Sequence, residues 1–132
     1  MTTPFWCILI ASLLPYVWSG AAVKARVDQF GQLDNRHPRA QQARLEGWGA
    51  RALGASANGF ETFPLFAASV IVAHLCGASA GASATWSLVY VASRILHGAL
   101  YVGNLDTLRS LAFGVGQACC VALFVLAARG GA

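Results

Sequence analysis

Charge is the scarcest resource in this chain. Only 11% of its 132 residues are Asp, Glu, Lys or Arg, whereas 57% are hydrophobic, and a soluble domain ordinarily carries about 25% charged residues. That balance excludes an ordinary soluble domain. Acidic residues are fewest, five against nine Lys and Arg, so the formal charge is positive. The basic residues are not interleaved with solvent-facing aromatics on a polar domain, which argues against nucleic acid as a partner. The polar remainder is also too short to build a separate soluble domain or a nucleotide-binding βαβ unit. Cysteine is limited to Cys7, Cys76, Cys119 and Cys120, with no CxxC pair and no metal-like spacing to histidine. Three of them lie in apolar runs and read as small buried hydrophobes, and no metal site is expected. There is no internal repeat and no low-complexity segment.

What the chain has in quantity is long apolar runs. Crossing a bilayer core takes roughly 20 apolar residues, and four stretches qualify: about 4–23, 57–77, 83–102 and 108–128. The expected fold is an all-α membrane protein, a single four-transmembrane-helix bundle over residues 1–132. The start Met1-Thr2-Thr3-Pro4 lacks the positive region of a cleavable signal, so the first run reads as a span. Lys24, Arg26, Arg36, Arg39 and Arg44 fall in the first connection, and the connection around 77–84 has no charge. Basic loops stay on the cytoplasmic side. The 24–46 loop is therefore placed in the cytoplasm and both termini outside. A helical pattern resumes from about Gln41 and leads into the second span.

Ionisable side chains within a span are costly, so each is expected to face the bundle interior and to find a partner. Arg51, Asn58 and Glu61 fall within an arc of about 80° on the second helix at 100° per residue. Ser87, Tyr90, Arg94, His97 and Tyr101 recur at steps of three and four on the third, again one face. Arg109, Ser110 and Gln117 give a weaker stripe on the fourth. With the first loop inside, the lower parts of all three stripes meet in one layer near the cytoplasmic face. Each residue has a plainer reading: Glu61 as the neutralising partner of Arg94, His97 as a hydrogen-bonded interior histidine, Tyr101 and Arg109 as interfacial anchors, Asn58 as a bridge between helices. Convergence is what argues for a site.

The order Arg51…Asn58-Gly59-Phe60-Glu61-Thr62-Phe63-Pro64, then Arg94-Ile95-Leu96-His97…Tyr101, then Arg109-Ser110 resembles the MAPEG superfamily, membrane-associated proteins in eicosanoid and glutathione metabolism, over roughly residues 45–115 and nearest its small bacterial members. The resemblance implies a multi-pass protein, of the inner membrane if bacterial, forming homotrimers that bind glutathione between neighbouring subunits near the cytoplasmic face and meet a lipophilic substrate from the membrane lipids. It implies a glutathione transferase or peroxidase acting on a lipophilic electrophile. On the matching positions, Asn58, Glu61, His97 and Tyr101 are the expected glutathione contacts, and Arg51 and Arg94 are expected to bind it as cations. Arg109, Ser110 and Tyr101 are expected at the thiol, where a guanidinium lowers the thiol pKa. The chain departs from prostaglandin E synthase-like members at Gly54 and Ala57, where they carry arginines, and Arg51, Arg26 and Lys24 are the candidate replacements. That loss keeps a second reading open, a non-catalytic trimer binding a lipid or a protein partner.

Overall fold

The computed structural model describes residues 1–130. Its elements are α1 (Thr3–Phe30), α2 (Pro38–Ala43), α3 (Gly47–Leu75), α4 (Ala80–Val102) and α5 (Asp106–Gly130), with no strand among the described residues. The four long helices pack together, α1 chiefly on α3 and α4 chiefly on α5, with further contacts of α3 to α4 and α5 and of α1 to α4. The core is layered around Phe66 and Tyr90, whose rings stack 3.8 Å apart. Cys7, Cys119, Cys120 and Leu123 surround them. Those three cysteines are buried as expected, whereas Cys76 lies exposed just past α3.

Glycine sets how closely the helices approach. A Cβ on Gly98 would overlap the Trp18 indole, and one on Gly59 would overlap the Pro15 ring. Both positions let α1 seat bulky rings directly against a neighbouring backbone, the small-residue packing that lipid favours.

Two boundaries differ from the sequence reading. The first helix does not stop near residue 23 but continues to Phe30, helped by a Lys24–Asp28 pair one turn apart, 2.6 Å, and ending where Gly31 turns left-handed at φ 79° and donates its amide to Val27. The helical stretch from Gln41 is not the start of the second span. It belongs to the separate short helix α2, and Arg44–Glu46 break the chain before α3. By length and hydropathy alone, α1 and α5 are fit to cross a membrane. The other two long helices fall below that measure because the polar stripes lie on them, Arg51, Asn58 and Glu61 on α3 and Ser87, Arg94 and His97 on α4.

The connection between α1 and α3 is held by one buried side-chain network. Arg26 donates through Nε to Gln41 Oε1 at 2.7 Å and through Nη2 to the Asp34 carbonyl at 3.3 Å. Gln41 in turn donates to the Gln32 carbonyl at 2.8 Å and accepts from the Asp34 amide. Asp34 caps the turn by accepting the Arg36 and His37 amides at 2.9 Å each. The His37 bond foremost, with the Arg36 bond and the nearby positive charges, holds the Asp34 carboxyl below its ordinary 3.8.

Candidate functional site

The third-helix stripe is one buried face. Ser87, Tyr90, Arg94 and His97 all point inward from α4, and Tyr101 is half-buried at its end. Tyr90 donates to the Thr62 carbonyl, which ties that face to α3 above the site. One turn further on, Arg94 is only 5% exposed. Its Nη2 donates to Asn58 Oδ1, its guanidinium lies 5.9 Å from the Phe113 ring centroid, and Nη1 is buried without a partner. Asn58 therefore does bridge two helices, and the partner it serves is a cation.

His97 follows on the same face. Its Nδ1 lies 3.0 Å from the Arg109 carbonyl, joining α4 to the first turns of α5, while Nε2 is buried with nothing to bond. The ring meets Tyr101 edge-on at 5.6 Å. The Arg109 guanidinium stands over the Tyr101 ring at 4.3 Å, a cation–π distance. On α3, Arg51 donates through Nε to the Val102 carbonyl at 2.9 Å. Gly54 lies under the Tyr101 hydroxyl so closely that a Cβ there would overlap it. The tyrosine occupies the space into which an arginine stem at 54 would have to grow.

The structure thus brings together Arg51, Asn58, Arg94, His97, Tyr101 and Arg109 at the end of the bundle where α4 turns into α5. Two expected members stand apart. Ser110 is exposed and its hydroxyl is spent on the Asp106 carbonyl of its own helix, 3.0 Å. Glu61 is exposed and does not pair with Arg94. Among the described residues the ion pairs are Lys24–Asp28 and Asp34–His37, so the neutralising reading of Glu61 is set aside. The physical reason lies in the helix geometry. Glu61 sits at the edge of the α3 arc, about 60° round from Asn58 at 100° per residue, which turns it toward α1 and α2.

On that side Glu61 lines a cavity of about 580 Å³ with Arg39, Gln42, Ser19, Ser56 and Ala57. Arg39 is a residue that sequence reasoning left in the loop. It donates to Gln42 at 3.1 Å and faces the same space as Ala57. The replacements considered from sequence fare differently. Arg26 is consumed by the loop network and Lys24 by Asp28, whereas Arg51 does reach the site. Only the docking of α2 places Arg39, so local sequence held no signal for it.

A family model described as the MAPEG family matches residues 3–129, nearly the whole chain. No curated protein matches it.

Proposed function

Starting from the chain's membership of the MAPEG family, we propose that it is a membrane-bound glutathione-dependent transferase or peroxidase acting on a lipophilic electrophile. Family membership itself places it among membrane-associated proteins connected with glutathione and eicosanoid metabolism. The finer reading has α3 and α4 crossing the bilayer beside α1 and α5, three subunits assembling, and the Arg94–Arg109 end lying at the cytoplasmic face.

One observation carries the reading. Three guanidinium groups, Arg51, Arg94 and Arg109, gather at that end, and each is met by a neutral group: a carbonyl, a side-chain amide and an aromatic face. A structural ion-pair cluster would have supplied carboxylates. This one leaves them to a ligand, and the unpartnered Arg94 Nη1 and His97 Nε2 are further free positions for it.

Glutathione, with two carboxylates, one ammonium and a thiol, fits that deficit. It supplies the nucleophilic sulfur when bound. Arg109 holds the sulfur as thiolate by its charge, and the phenol of Tyr101 beneath it fixes where that charge stands. Glu61 and Arg39 line the separate cavity toward α1 and α2, so they reach the same ligand across the interface between subunits, Glu61 receiving the ammonium and Arg39 a carboxylate. His97 keeps Arg109 in place through its carbonyl. The lipophilic substrate approaches from the membrane.

The non-catalytic reading draws on a specific observation too, since Tyr101 fills the space in front of Gly54. Calorimetric titration of the purified protein with glutathione, together with ultraviolet difference spectra for thiolate, separates the two. Saturable binding with thiolate formation at neutral pH is expected. Absence of both at millimolar glutathione leaves the lipid- or partner-binding trimer as the reading.

A further inference from the structure

The opposite end of the bundle holds a second cavity, about 410 Å³, between the start of α1, the end of α3 and the start of α4. It is separate from the site above: Ser83 on its wall and His97 lie fourteen residues apart on α4, roughly 21 Å at 1.5 Å per residue. Its size falls within the range of small-molecule pockets, about 300–1,000 Å³. The wall is mostly apolar, with Phe5, Val70 and Ala84 among its residues.

Its polar groups are few, and one is unsatisfied. Ser83 is 7% exposed, and its hydroxyl has no hydrogen-bond partner among the described residues. Its neighbours on α4 behave otherwise: Thr85 donates to the Gly81 carbonyl at 3.1 Å and Ser87 to the Ser83 carbonyl at 2.7 Å. A buried hydroxyl left unbonded costs stability, so such a group calls for a partner. His74 also lines the cavity, its ring edge-on to Phe5 at 4.9 Å. Thr2 and Thr3 add two hydroxyls, and no lining residue is Asp or Glu.

We propose that this cavity binds a single-chain amphiphile with an oxygen head group, a carboxylate or hydroxyl, bonded to Ser83 and His74 with its chain against Phe5 and Val70. With no carboxylate on the wall to neutralise an ammonium, the hydroxyls and the imidazole favour an oxygen head over a charged amine. A mostly apolar wall with a few polar groups at one place suits a molecule that is itself apolar except at one end. Free fatty acids and diacyl phospholipids both present oxygen acceptors at the head, and a cavity of this volume takes the single chain.

Photolabelling tests this on the full chain in nanodiscs, using a diazirine fatty acid, a diazirine fatty amine and a diazirine phosphatidylcholine, with mass-spectrometric mapping of the labelled peptides. Saturable labelling by the fatty acid at residues 1–5 and 70–84 is expected, competed by unlabelled fatty acid and not by the amine. Ser83→Ala should weaken that competition by roughly 3- to 10-fold, the loss of one hydrogen bond. Ala80→Phe, which fills the cavity from an exposed helix position, should abolish labelling while the melting temperature holds. Labelling by the phospholipid in preference, by acid and amine alike, or without saturation overturns the proposal, as does an unchanged Ser83→Ala variant. None of these readouts involves glutathione.

Discussion

Asn58 and Glu61 lie three residues apart on one helix, yet the structure gives them opposite dependencies. Among the described residues Asn58 is the only side chain bonded to a terminal nitrogen of the buried Arg94, so Asn58→Ala should cost about 1.5–3 kcal/mol, the range for a hydrogen bond to a charged group. Glu61 is exposed and unpaired, so Glu61→Gln should leave thermal stability within about 0.5 kcal/mol of the parent while weakening glutathione binding. Thermal melts and calorimetry on the two variants check both. A stability loss for Glu61→Gln as large as that for Asn58→Ala would restore the ion pair with Arg94. Arg109→Ala belongs at the same scale. Raising the bound thiol pKa by one or two units removes about 10- to 100-fold of the thiolate, equivalent to ~1.4–2.8 kcal/mol, and turnover at neutral pH should fall by that factor. Because the Arg109 carbonyl contact with His97 survives and the lost cation–π contact with Tyr101 is worth only about 0.5–1 kcal/mol, the melting temperature should fall only slightly.

At the scale of elements, the helices are held by close backbone approaches. Gly98→Ala places a methyl inside the Trp18 indole, and forcing that contact apart costs about 1–3 kcal/mol. Gly114→Ala is the matched control, since nothing lies within 4 Å of its Cβ position; helix propensity alone should then stabilise it by up to about 1 kcal/mol. Melting in mild detergent reports both, and destabilisation by Gly114→Ala would mean that a neighbouring subunit covers that face. The connecting segment should respond to acid. The Asp34 carboxyl sits below its ordinary 3.8 in the folded chain, so its contribution to order is complete above that value and is lost as the pH falls through the depressed folded value. Amide exchange at Arg36 and His37 should quicken selectively across that acid window. Exchange that accelerates equally throughout α2 would point instead to the Arg26–Gln41 network.

For the whole molecule, the expectations are topology and assembly. If the basic loop is retained inside, as its positive charge leads us to propose, a cysteine introduced at Gln32 should stay unreactive toward an impermeant reagent in intact cells. Native mass spectrometry should find three subunits, and a clean monomer in both detergent and nanodiscs would remove the shared-site reading. Both tests bear on α3 and α4, whose proposed crossing is argued from the packing of four long helices and not from hydropathy.

The amino-acid sequence by itself determined the helical class, the family and the inward face of α4, because a buried stripe repeats with the helical period and Ser87, Tyr90, Arg94 and His97 keep it. It also marked the end of the bundle where these polar residues meet, since Arg94, His97 and Arg109 are near one another along a hairpin of two helices. Which charges pair was decided by the tertiary structure alone. Glu61 and Arg94 are attractive partners on paper, but the rotation of α3 against α4 gives Arg94 to Asn58 and turns Glu61 toward α2. The fate of the loop cations was settled the same way: Arg26 closes a network with Gln41, and Arg39 comes to face Ala57. Such pairings depend on angles and distances between helices, which local periodicity does not encode.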